Sequence, residues 1–191
     1  ATLNAQNKSY YTHKIPGKVP IIDGLMDDKA WDAVDWAGDF IQREPNDGAQ
    51  PSQFTKFKVL FDDNNLYVLI RALDSVPGEI VRRLSRRDKE DGDWLAVSID
   101  SYADKQTAFT FGITSAGVKF DFMLVNDNVT IPAGMPCTLQ PQPAMRWDGP
   151  PKCVSRCRSF VLPGSISIPG ELMFSGIYTA SRSFRCGSQF R

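Results

Sequence analysis

The sequence predicts an all-β fold, an antiparallel β-sandwich with short helical inserts, and three observations predict it. TKFKVLF (55–61) alternates, with Phe57, Val59 and Phe61 on one side and Lys56 and Lys58 on the other; the turn-forming DDNN follows, and LYVLIRALD returns as a nearly continuous apolar strand. WLAVSID (94–100) repeats the alternation with Leu95, Val97 and Ile99 inward. AFTFGIT and VKFDFML are joined by the turn residues Ser115 to Gly117, so that Phe109, Phe111, Phe120 and Phe122 fall on alternating faces of a second hairpin. Short strands, frequent turns and little helical period together describe a sandwich.

Taken in order, VPIIDG (19–24) reads as a short strand entering a turn. MDDKAWDAVDW (26–36) reads as a helix, since Asp27 and Asp28 sit early, where acids favour the helix dipole, and Ala30, Trp31 and Val34 share a face. Trp31 is then a core aromatic rather than a sugar platform. QREPNDG (42–48) is a polar loop before the first hairpin. The second strand of that hairpin is apolar on both faces, as suits a strand inside a layered sheet. SVPGEIVRRLSRRDKEDGDW (75–94) is a charged connection in which Pro77 can open a short helix carrying Ile80 and Val81.

The chain has 191 residues, enough for one domain with a core, at 42% hydrophobic residues. Basic and acidic residues number 22 each, so no charge excess points to nucleic acid or an anionic membrane. The sequence holds no run of about 18 apolar residues, the length a helix needs to span a bilayer. The opening ATLNAQNKSYY lacks the basic start and apolar core of a leader peptide.

The balance is uneven along the chain. Residues 1–126 carry 19 acids and 15 bases, whereas residues 127–191 carry 3 acids, 7 bases, all 4 cysteines and 8 of the 13 prolines. Three segments follow: an N-terminal arm (1–18), a sandwich (19–126) and a Pro/Cys-rich segment (127–191). The last lacks any sustained period of 2 or 3.6, although SISIPGELMFSGIY can hold one or two short strands. It reads as completing the sandwich, as a divergent extension, or as text in a shifted frame.

The ordered pieces IDG, DDKAW, FIQREPNDGAQPS, TKFKVLFDDNNLYVLIRALDS and RRDKEDGDWLAVSIDSYADKQTAFTFGITSAGVKFD resemble the family 9 carbohydrate-binding modules. Within that family they look most like the type at the N-terminus of bacterial outer-membrane β-barrel proteins. The resemblance implies a jelly-roll-like sandwich that binds sugar chains by aromatic stacking, often with structural calcium. It implies a secreted, periplasmic or cell-surface location, a membrane barrel of the same parent protein as partner, and no catalysis. Two alternatives accompany it: a docking domain of an outer-membrane protein without sugar binding, and a carbohydrate-active hydrolase or a fragment of one.

A sugar ring has apolar C–H faces and polar edges, so its site needs flat aromatics with hydrogen-bonding rims. Trp94, at a strand start beside Asp93, is the first candidate for stacking, with a sandwich-core role as the other reading. Tyr102 is the second candidate, with loop packing as its alternative. Arg87 and Asp93, an arginine with a carboxylate in one charged loop, can grip hydroxyls, or form internal ion pairs in a solvated loop. Arg43 and Glu44 belong to the same rim. For calcium, Asp100 and Asp104 flank a turn and Asp121 can approach through the sheet.

Classical catalysis has little support, because His13 is the only histidine and no pair of acids stands out for glycoside hydrolysis. Haem lacks plausible axial ligands for the same reason. Cys153 and Cys157 have no second close pair and no histidine beside them, so no zinc signature exists. In an oxidising compartment the 4 cysteines allow two disulfides with three connectivities.

Overall fold

The computed structural model describes residues 10–89, 91–100, 104 and 106–125, and beyond these the backbone of the strands 128–130, 146–148, 154–163, 173–181 and 184–188. The strands form two sheets. β1 (His13–Lys14), β3 (Thr55–Phe61), β4 (Asn65–Asp74), β9 (Arg146–Asp148) and β10 (Val154–Pro163) make a five-stranded sheet in the order β1-β3-β4-β10-β9. The seven-stranded sheet comprises β2 (Ile41–Glu44), β5 (Trp94–Asp100), β6 (Thr107–Thr114), β7 (Lys119–Val125), β8 (Asn128–Thr130), β11 (Met173–Ser181) and β12 (Phe184–Ser188). Its order is β2-β12-β11-β5-β6-β7-β8. Every pairing is antiparallel except β1 with β3.

Both predicted hairpins form. The DDNN turn closes because the Asp62 carboxylate accepts the N–H groups of Asn64 at 2.7 Å and Asn65 at 2.6 Å. Phe57, Val59, Leu66, Val68 and Ile70 of one sheet meet Leu95, Val97, Ile99 and Ile113 of the other in the main core, with Phe40 beside them. The inward alternation read from the sequence is therefore the one that packs.

Four local expectations fail. Gln42–Glu44 of the polar loop lie in strand β2, and the helix opened by Pro77 is a 3-10 turn that ends at Glu79, before Ile80 and Val81. Residues 19–24 form no strand, and the helix over 26–36 shrinks to one five-residue 3-10 turn, Lys29–Ala33. Trp31 explains why so short an element persists, since at 2% exposure it anchors the turn in a second cluster with Ile15, Val34, Leu60, Tyr67 and Leu69. That cluster lies on the outer face of the five-stranded sheet. The arm also adds β1 to that sheet's edge, where Ile15 N–H donates to the Phe61 carbonyl at 2.8 Å and Tyr10 packs on Phe57 at 5.3 Å. An exposed strand edge is an aggregation hazard, and here the N-terminal residues cover it.

The segment without period contributes to both sheets. β10 pairs with β4 over ten positions, Val154 to Pro163, and β11 lies between β5 and β12. Ladder pairing with existing strands places VSRCRSFVLP, whose own pattern does not mark it as a strand.

Candidate functional site

Trp94 opens β5 on the face turned away from the main core, because Leu95, Val97 and Ile99 take the inward positions. Register puts Trp94 opposite Thr114, Ala96 opposite Gly112 and Ser98 opposite Thr110. On the next strand Phe120 stands opposite Gly112 and Phe122 opposite Thr110. The rings follow that register: Trp94 meets Phe120 edge-on at 5.6 Å and 83°, and Phe120 lies parallel to Phe122 at 6.2 Å and 9°.

Gly112 makes this possible. A Cβ there would lie 2.1 Å from the Phe120 ring, so the ring occupies the space a side chain would take. Phe120 is 1% exposed, whereas Trp94 and Phe122 remain half-buried. Beneath them, the Ser98 and Thr110 hydroxyls bond each other at 2.7 Å. The result is a row of three aromatic rings with a fixed middle member.

The charged connection folds back beside Trp94. Arg82 bridges Gly92, Asp93 N–H donates to the Val81 carbonyl at 3.1 Å, and Ser115 N–H donates to the Asp93 carbonyl at 2.6 Å. Gly92 has φ 93°, and a Cβ there would sit 2.4 Å from the Val81 carbonyl oxygen, so the return requires glycine. Asp93 is buried at 4% exposure, which makes it part of the loop's anchor. Arg87 turns to Asp121, donating at 2.8 Å, and a 3.5 Å contact ties it to Asp88. The bond to Asp121 pushes the Arg87 pKa above its ordinary value. Arg87 thus docks the loop onto β7.

The rim imagined from sequence is only partly assembled. Trp94, Asp93 and the Arg87 loop share one end of the seven-stranded sheet. Glu44 falls on the same rung as Trp94, through positions 180 and 185, but β11 and β12 intervene. Three strand spacings amount to about 14 Å, so Glu44 and Trp94 do not form one contact site. Arg43 lies in β2 on the sheet edge, and its side chain is outside the described residues. Tyr102 also lies outside them.

The three acids proposed for calcium separate. Asp100 accepts the Asp104 N–H at 3.3 Å, and Asp104 accepts those of Gln106 and Thr107, each at 2.7 Å. Those two backbone bonds hold the Asp104 carboxyl below its usual pKa. Asp121 pairs in register with Phe111, which pairs with Val97, so it occupies the rung of Val97 on the opposite face from Asp100. That corrects the expectation that Asp121 joins the turn. Among the described residues no group of three His, Cys, Asp or Glu side chains comes together, which falls short of the several carboxylates calcium usually takes.

The family model for carbohydrate family 9 binding domain-like proteins matches residues 22–128. The chain belongs to that family. Among solved structures, a family 9 carbohydrate-binding module from Caldicellulosiruptor kristjanssonii in complex with cellotriose is similar at TM-score 0.55 and 17% identity, over 93% of this chain and 83% of that one. Its complex with glucose gives TM-score 0.51 and 18% identity, over 93% and 85%. A putative carbohydrate-binding protein from Bacteroides uniformis gives TM-score 0.62 and 12% identity, over 95% and 90%. At these identities the likeness establishes the fold, an all-β sandwich. No curated protein matches the chain.

Sequence reasoning singled out Trp94 as a candidate but not the Phe120 and Phe122 rings in its row. A glycine inside the strand FTFGIT, facing the alternating KFDF, was the available signal.

Proposed function

We propose that this protein is a non-catalytic carbohydrate-binding module whose sugar platform is the Trp94 end of the seven-stranded sheet. The observation that carries the reading is a half-buried indole, braced edge-on by Phe120 and facing away from the core, in a member of a carbohydrate-binding family. Stacking on a ring already held in place avoids much of the ordering cost of binding. The proposal extends to a location outside the cytoplasm, where polysaccharides occur, and cell fractionation tests it.

Calorimetry with glucose and cellotriose, the ligands of two structural relatives, is the direct experiment. Trp94→Ala is expected to weaken binding at least about tenfold, as loss of an aromatic anchor does, with the circular dichroism spectrum unchanged. Unaltered affinity in that variant, or silence across a broad sugar panel, would overturn the reading. Chromogenic glycosides are expected to pass without turnover. For calcium, the proposed place is the Asp100–Asp104 turn, completed by carbonyls and waters; a melting temperature that calcium does not raise would remove it.

A further inference from the structure

The other outward face carries a concentration of positive charge that the Trp94 site does not use. On the five-stranded sheet Lys56 and Lys58 point away from the main core, and both ammonium groups approach the ring of Trp36, at 4.4 Å and 5.1 Å from its centroid. Lys58 is only 8% exposed and donates to the Trp31 carbonyl at 2.6 Å. Lys56 stands directly opposite Arg71, and the rung continues through Cys157 to Arg146. Three of the four positions on that rung are therefore basic.

A buried ammonium is costly without a counter-charge. Among the described residues no carboxylate lies within ion-pair distance of Lys56 or Lys58. The Trp36 ring offers part of the compensation through cation–π attraction. A ring that is half-buried also leaves an apolar surface beside the cations. A flat indole with two ammonium groups beside it suits a ligand with an apolar ring face and an oxyanion at its edge.

We propose that Trp36 and Lys56 on the five-stranded sheet form a second site, one that binds the carboxylate or sulfate group of an acidic sugar chain. Lys56 pairs with the oxyanion, and Trp36 contacts the sugar's C–H face. This site lies across the sandwich from Trp94 and stands whether or not Trp94 binds sugar.

Calorimetry of the full chain at low salt tests it with four probes: an oligogalacturonide, a sulfated dextran oligomer, a neutral dextran oligomer of equal length, and inorganic sulfate. One acidic oligomer is expected to bind more tightly than both the neutral oligomer and inorganic sulfate, with affinity falling as salt is added. Which acidic oligomer binds identifies the oxyanion. Lys56→Gln should lose about tenfold, the loss of one hydrogen bond to a charged group, while Lys56→Arg and Trp94→Ala retain binding. Trp36→Ala should weaken the oligomer without a matching effect on inorganic sulfate. Should Lys56→Gln fail to fold, Trp36→Ala and Lys56→Arg still provide the contrast. Equal binding of neutral and acidic oligomers, inorganic sulfate as strong as either, or an indifferent Trp36→Ala would each overturn the assignment.

Discussion

Two tryptophans on opposite outward faces of the sandwich, Trp31 and Trp94, are held in opposite ways. On the five-stranded sheet the chain lays its own N-terminal residues over the strands, and Trp31 is enclosed at 2% exposure among Ile15, Val34, Leu60 and Tyr67. On the seven-stranded sheet Trp94 stays half-buried, supported from one side by Phe120. What the chain folds over an indole, rather than the indole itself, separates scaffold from binding surface. Trp31→Ala is accordingly expected to cost about 3–5 kcal/mol, the range for emptying a buried aromatic site. Trp94→Ala should cost roughly 1–2 kcal/mol, because a half-buried ring has less contact to lose than an enclosed one. Thermal melts of the two variants measure this directly, and equal losses would erase the distinction.

Gly112→Ala sharpens the contrast from the binding side. The added methyl would collide with the Phe120 ring at 2.1 Å, and overpacking of this kind costs about 1–3 kcal/mol. Phe120 must then move, and Trp94 loses its brace. The variant is expected to melt earlier and to bind sugar more weakly even though Trp94 is intact. Unchanged sugar affinity in a destabilised protein would show that Trp94 needs no support from Phe120.

These faces were unequally legible in the sequence. Strands β3 to β6 announce themselves because each buries at least one face, and burial writes a period of two into the residues. Trp31 was recognisable as core from its apolar companions at 30 and 34. What covers the outward face of the five-stranded sheet is set by chain segments without period: the arm carrying Ile15 and the single turn at 29–33. Lys58 shows the consequence. Its alternation with Phe57 and Val59 suggests solvent, yet the covering segment buries it to 8% exposure. Asp121 shows the same limit for the site, since its partner Arg87 arrives from a loop 34 residues away in sequence.

Each sheet also carries a polar lock, and these differ in how pH should reach them. At the β3–β4 turn the Tyr67 hydroxyl donates to Asp62 at 2.7 Å. Burial, followed by that bond, raises the Tyr67 pKa from 10.0 to about 12. A folded-state pKa above the unfolded one means the contribution is complete below pH about 10 and is lost as pH climbs toward 12. For Asp62, burial opposes ionisation, but the bonds from Tyr67, Asn64 and Asn65 outweigh it and hold the carboxyl below the usual range. Its contribution is present above the ordinary carboxylate pKa and fades as acid protonates it. Tyr67→Phe should therefore flatten the alkaline limb of a stability–pH curve between pH 10 and 12. A persistent alkaline loss in that variant would assign the limb to other groups.

The lock on the seven-stranded side should matter least. Arg87 is 56% exposed, which screens its charge, although Asp121 at 9% is nearly enclosed. Exposed pairs contribute up to about 1 kcal/mol, and the enclosed partner puts this one toward that upper value. A double-mutant cycle of Arg87→Gln and Asp121→Asn at two salt concentrations isolates the coupling from other effects of each change. The expected coupling is about 1 kcal/mol, diminished in high salt. The loop keeps a second attachment, from Asp88 N–H to the Lys119 carbonyl at 3.0 Å, so Arg87→Gln should leave Trp94 binding within about twofold of the parent. A larger loss of affinity would place Arg87 at the sugar and return it to the rim from which its bond to Asp121 removes it.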